Sequence, residues 1–229
     1  MISPLSHGHL RHSIFSKMGI IFLLAAQLVT SSAKADPYDT LRTNWVSILT
    51  GMTNFTPGST NNYNTNDPNI AAGINSIVYS GTKYLGYMTG NTNTNYLFSN
   101  ITNLGTNQDS VFIVSAYNQL EAMALAYVTQ GSSLQGNQSL LTNIIRGLDW
   151  MNANWYNTNT PTAYAANGIK FPTAWNWFDL EIAAPQALVN TVCLVYTNLS
   201  SNQIASYMSA VNWEEQYQAS TSNNPLNYH

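Results

Sequence analysis

Apolar residues recur every three to four positions along most of this chain, the period of helices that bury one face. Six stretches carry it. The first places Tyr38, Leu41, Trp45, Ile48 and Met52 on one face. The second opens at Asp67-Pro68, an N-cap followed by proline at the first helical position. It continues through Ile70, Ile74, Ile77, Tyr84 and Met88. A third helix is expected from about Thr106-Asn107-Gln108-Asp109, which has the form of a capping box. Its face is Ile113, Tyr117, Leu120, Ala124 and Tyr127, and Gly131 is its expected stop. The fourth begins near Asn137 and carries Leu141, Ile144, Leu148, Met151 and Trp155. The fifth carries Leu188, Val192, Val195 and Leu199, and with Val189, Cys193 and Leu194 it is apolar nearly all round, which predicts deep burial. Ser200 and Ser201 are placed to cap a sixth, with Ile204, Tyr207, Met208 and Val211. No segment alternates in the two-residue period of a strand. The expectation is one all-α domain of antiparallel helical hairpins, with a long Asn-, Thr- and Pro-rich loop from Asn157 to Trp175. Long loops in compact domains are often functional.

Residues 1–35 stand apart from this pattern. Arg11 and Lys17 precede an apolar run from Met18 to Val29, and Ala33-Lys34-Ala35 has the small-x-small form of a cleavage site. These are the marks of a secretory signal peptide. The apolar run is short for a bilayer span, and no other uninterrupted apolar run is long enough to cross a membrane. Export to the periplasm or the medium is therefore expected, with a mature chain of residues 36–229.

Removing the leader changes the charge. Of seven basic residues four remain, against ten acids, for a net charge of −6 with histidine neutral. Such a chain is poorly suited to binding nucleic acid. The mature region keeps a single histidine, His229 at its last position. A Ser-His-Asp triad, a Cys-His pair or a His-rich metal site needs an imidazole inside the domain, so neither a metal site nor a cofactor is expected. Cys193 is the only cysteine; in an apolar helical run it reads as a buried, inert thiol.

The densest chemistry lies in "TAWNWFDLEIAAPQAL", residues 173–188. Two tryptophans, a phenylalanine, an asparagine and two of the scarce carboxylates meet at the start of the fifth helix. Taken singly, the rings read as core plugs and the acids as caps favoured by the helix dipole. Together they suit a saccharide cleft: aromatic planes stack on sugar C–H faces, and amide and carboxylate groups bond to hydroxyls.

The segment "NWFDLEIAAPQALVNTVCLVY" resembles the Asn-Trp-aromatic-Asp-x-Glu-Ile segment of polysaccharide lyase family 8, which includes hyaluronate, chondroitin AC and xanthan lyases. "DPYDTLRTNWVSILTGM" is similar to that family's first helix, and "DPNIAAGINSIVYSGTKYLGYM" to its second. The resemblance runs from Asp36 to about Val211. It implies an incomplete (α/α) toroid and an acidic polysaccharide as partner. It also implies that Asn176, Trp177 and Phe178 line the substrate cleft. Phe178 stands where the family usually has a second tryptophan, which keeps a stacking face but loses the indole N–H. The family's catalytic Asn, His, Tyr and Arg follow this region, and its Thr-Gly-Ala-Asn segment is not found before His229. The expectation is thus the N-terminal part of a lyase, without its own catalytic residues and inactive alone. The alternatives are a non-catalytic carbohydrate-binding helical module, an (α/α) glycoside hydrolase, and a purely structural helical protein. A hydrolase needs paired carboxylates across a cleft, whereas Asp179 and Glu181 lie two apart and do not share a helix face.

Overall fold

The structure is a computed structural model and describes residues 37–52, 63–90, 95–101, 110–159 and 178–220. It divides into two compact units, Met1–Asp39 and Thr40–His229. Of the first, only residues 37–39 are described, and they begin a helix. Six α-helices are present among the described residues: α1 (Pro37–Thr50), α2 (Pro68–Tyr87), α3 (Val111–Val128), α4 (Gln138–Asn154), α5 (Ala184–Val195) and α6 (Ser201–Ser220). Short 3₁₀ turns lie at Ser99–Ile101 and Tyr196–Asn198, and a π-helical turn at Phe178–Ala183 leads into α5. No strand occurs among the described residues; Met88 and Phe98 form one isolated bridge.

The helix starts follow from local chemistry. Asp67 Oδ1 accepts from the backbone N–H groups of Asn69 and Ile70 at 2.8 and 3.2 Å, and Pro68 needs no acceptor at the first position. Asn137 caps α4 through Leu140 N–H at 2.9 Å. At α6, Ser200 Oγ accepts from Gln203 N–H while Gln203 Oε1 accepts from Ser200 N–H, a reciprocal capping box. Gly131, at φ 79, takes the left-handed conformation just past α3. The described part of α3 begins at Val111; Thr106 to Asp109 lie outside the described residues.

Hydrogen bonds and close approaches set the helix directions. Gly131 meets Thr65 and Ile74, and Gly81 meets Ala126, so α2 and α3 are antiparallel. Between α3 and α5 the pairs Ser110–Asp179 and Glu121–Asn190 share a separation of 69 residues, which makes these helices parallel. Between α4 and α6, Asp149–Gln203 and Asn152–Ser206 share a separation of 54, again parallel. Hairpins whose equivalent helices run parallel are the repeat unit expected of an (α/α) toroid.

Helix α3 is the hub. It packs against α2, α4, α5 and the π-helical turn. Ile113, Ala116, Tyr117, Leu120, Met123, Ala124 and Ala126 are all buried, on more than one side of the helix. Both α3 and the segment Phe178–Asn198 are long and apolar enough, by composition alone, to cross a membrane. In the sequence they do not stand out as spans, because Gln119, Glu121 and Asn190 interrupt the apolar run. Their apolarity matches burial against several neighbours in the core.

One predicted face is corrected. Of its members Met52 is buried, but Tyr38, Leu41 and Ile48 are exposed, and Trp45 is 40% exposed. Helix α1 is turned so that Val46 enters the core and Leu49 packs against it. The reason is polar: Arg42 lies 3.5 Å over the Tyr196 ring, and Trp45 Nε1 donates to Asn190 Oδ1 at 2.8 Å. Both contacts need the Arg42/Val46/Leu49 side inward.

The α2–α3 spacing depends on Gly81, where an added Cβ would lie 2.5 Å from Ala126 Cβ. Gly81→Ala gains about 1 kcal/mol of helix propensity but overpacks a backbone-rooted contact. A net loss of about 1–2 kcal/mol is expected, read as a lower melting temperature.

Candidate functional site

Of the three residues singled out by the motif, Phe178 is described; Asn176 and Trp177 lie outside the described residues, as does the predicted loop from Thr160 onward. Phe178 is the first residue of the π-helical turn and is 49% exposed. Ile182 and Val111, close to the same junction, are also exposed. The rest of the turn is deeply held: Leu180 is fully buried and Asp179 nearly so.

Why the chain forms a π turn here follows from Pro185. A proline in the first α-helical turn is acceptable, but carrying regular α-helix upstream of it would set its ring against the carbonyl of Glu181. The chain instead takes the wider π spacing from Phe178 to Ala183, and regular α-helix starts at Ala184 with Pro185 in its first positions. Such wide turns inside helices often mark functional positions.

Two hydrogen bonds fasten the turn. Ser110 Oγ donates to Asp179 Oδ2 at 2.6 Å, and Tyr156 Oη donates to the Leu180 carbonyl at 2.8 Å. In the sequence Asp179 stands out as support for the aromatic cluster. Its partner Ser110 and the Tyr156 contact do not, because they lie 69 and 24 residues away. Tyr156 is itself fixed edge-on against Tyr117, ring centroids 5.7 Å apart.

The middle of α5 carries a second polar chain. Trp45 Nε1 donates to Asn190 Oδ1, and Asn190 Nδ2 donates to Glu121 Oε1 at 2.9 Å. Burial raises the Glu121 carboxyl above its ordinary range, and the Asn190 bond pulls it part of the way back. Cys193, expected from sequence to be buried, is only partly so; burial still pushes its thiol up, with Arg42 opposing. Among the described residues no three His, Cys, Asp or Glu side chains come together as a metal site. Of the cations, Arg42 lies over Tyr196, and Arg146 donates to the Thr89 carbonyl at 2.8 Å.

The architecture is therefore that of a helical-hairpin toroid domain with an exposed aromatic at the head of a π-broken helix. Residues 53–227 match the N-terminal alpha-helical domain of polysaccharide lyase family 8, and the chain belongs to that family. A xanthan lyase from Bacillus sp. (strain GL1) is 28% identical over 179 residues, which cover 78% of this chain and 17% of that protein. A hyaluronate lyase from Thermasporomyces composti is 24% identical over 212 residues, 88% of this chain and 23% of that protein. Among solved structures, a Paenibacillus xanthan lyase superposes with a TM-score of 0.64 at 37% identity, over 80% of this chain and 15% of that one. The chondroitin AC lyase of Streptomyces coelicolor A3, solved with chondroitin sulphate, gives 0.61 at 26% identity, over 79% of this chain and 21% of that one. The chain thus spans about a fifth or less of the length of most of these relatives.

The raised Glu121 carboxyl has a signed consequence. The folded state holds this proton more tightly than the unfolded chain. Its contribution to stability is therefore full below the ordinary carboxyl range and is lost as pH rises through the raised value. Glu121→Gln keeps an acceptor for Asn190 and removes the charge. The variant should melt at or above the wild type at neutral pH, with a flatter loss of stability from acidic to neutral pH. Thermal melts across that range check it; a variant melting well below wild type at neutral pH would show that the charge itself holds the helices.

Proposed function

We propose that this chain is the N-terminal helical part of an exported polysaccharide lyase, and that it supplies an aromatic surface for an acidic polysaccharide. The observation that carries the reading is Phe178, half exposed within the Asn-Trp-Phe-Asp motif while the residues after it are fixed in the core. An exposed ring on a rigid mount can stack on a sugar face with little ordering cost. Asn176 and Trp177, the two residues just before it, complete the proposed patch with an amide and a second ring.

In the reaction the family resemblance implies, the C5 proton of a uronic acid is abstracted and the C4-linked sugar is expelled. An asparagine neutralises the carboxylate and a tyrosine takes the proton. We assign those groups to a part of the enzyme other than this helical segment. The lack of an internal histidine after leader removal supports this, as do the few cations, of which Arg42 and Arg146 are held in packing contacts. Residues 1–35 are proposed to be a removed signal peptide, with periplasmic or extracellular delivery. The competing reading, a non-catalytic carbohydrate-binding module, is favoured by the continuous core running through α3, α4, α5 and α6.

The two readings share a binding test and differ in what the rest of the protein would add. The pure chain should release no unsaturated uronide from hyaluronan, chondroitin or xanthan-derived substrates, followed by product absorbance. It should bind their oligosaccharides weakly, at about 1 kcal/mol per stacked ring. Phe178→Ala should weaken that binding and change stability by less than about 1 kcal/mol, since the ring is half exposed. A large stability loss in calorimetry with unchanged binding would return the ring to a packing role.

A further inference from the structure

We infer that Ser110 and Tyr156 are positioning residues for the saccharide surface: through Asp179 and Leu180 they clamp the π-helical turn that mounts Phe178. The inference rests on the proposed function for its ligand, and on geometry for the clamp.

Ser110 sits at the N-cap of α3, where a serine ordinarily accepts from the N–H groups of the first turn. Here it has αR backbone angles, φ −51 and ψ −20, and its side chain makes no cap hydrogen bond. The hydroxyl instead donates to Asp179 at 2.6 Å, within the protein interior. With helical backbone angles its side chain is not in a capping geometry, and its hydroxyl is spent on a contact 69 residues away.

Tyr156 is the other arm. It follows the end of α4, is fully buried, and its backbone N–H is tied to the Met151 carbonyl at 2.8 Å. Its ring is held by Tyr117 and its hydroxyl reaches the Leu180 carbonyl. The first arm grips a side chain and the second grips the backbone of the next residue. Residues 179 and 180 are therefore fixed in both orientation and depth, and Phe178 can face solvent only over a narrow range. A π turn is rare and occurs mostly as a single turn within an α-helix, so contacts from outside help to hold it.

Ser110→Ala with Tyr156→Phe removes both donors and leaves the rings and the core volume in place. Asp179→Asn is the conservative control, since its amide oxygen can still accept from Ser110. Hydrogen exchange of the amides of residues 178–183 reads the clamp, and titration with xanthan-derived, chondroitin and hyaluronan oligosaccharides reads its use. In the double variant we expect faster exchange confined to the turn, unchanged exchange in the middle of α3 and α4, and binding weakened by up to about fivefold, the worth of one stacked ring. Asp179→Asn should leave exchange in the turn near the wild-type rate. Unchanged exchange in the turn would overturn the clamp. A loosened turn with wild-type binding would overturn the positioning role while leaving the proposed function standing. If wild type binds none of the oligosaccharides, the proposed function fails and the positioning role fails with it, whereas the exchange data still decide whether the clamp exists. Should the double variant unfold, Tyr156→Phe alone is read by the same two measurements and the same outcomes.

Discussion

The register between α3 and α5 is the constraint on which the remaining structure hangs. Two parallel helices with smooth apolar faces could slide past each other by a turn at little hydrophobic cost. Here two carboxyls prevent it: buried Asp179 takes the Ser110 hydroxyl at the start, and partly buried Glu121 takes the Asn190 amide near the middle. A slip of one turn would leave both polar pairs unmade inside the core, at about 1–3 kcal/mol for each group left without a partner. Apolar surface supplies the attraction between the helices; these two hydrogen bonds supply the choice of alignment.

The choice propagates outward. With α5 in register, Asn190 presents its oxygen to Trp45 and Tyr196 presents its ring to Arg42, so α1 is hung by side chains that reach across to it. With α3 in register, Gly81 can nest against Ala126, and Gly147 of α4 against Leu120. The π-helical turn is where the polar end of this pairing meets Pro185, and the compromise between them brings Phe178 to the surface.

Helix positions and caps are legible in the sequence because they depend on residues three or four apart. Asp67-Pro68, Asn137 and Ser200 each stand beside the groups they satisfy, and periodic leucines with isoleucine in α4 and valines in α5 announce those helices. The face of α1 is not legible. An apolar stripe states that a helix can bury that side, but here Arg42 and Trp45 have partners beyond residue 189, and these outweigh Leu41 and Ile48. The Trp45–Asn190–Glu121 chain is invisible for the same reason, with separations of 145 and 69 residues. Phe178 is marked by family resemblance and aromatic clustering, and its ring is half exposed. The serine and tyrosine that fasten its mount leave no local trace, since one looks like an ordinary cap and the other like core.

The π spacing also makes this segment intolerant of changes in length. Losing one residue between Phe178 and Ala183 would remove the extra residue that the π spacing accommodates, while Pro185 would still bar regular α-helix upstream of it. The loss would also rotate Phe178 by about 100° relative to α5 and pull Asp179 away from Ser110. Among descendants of this sequence, single-residue deletions in the turn should be rarer than substitutions within it, even though the turn lies beside the surface where insertions and deletions are usually accepted.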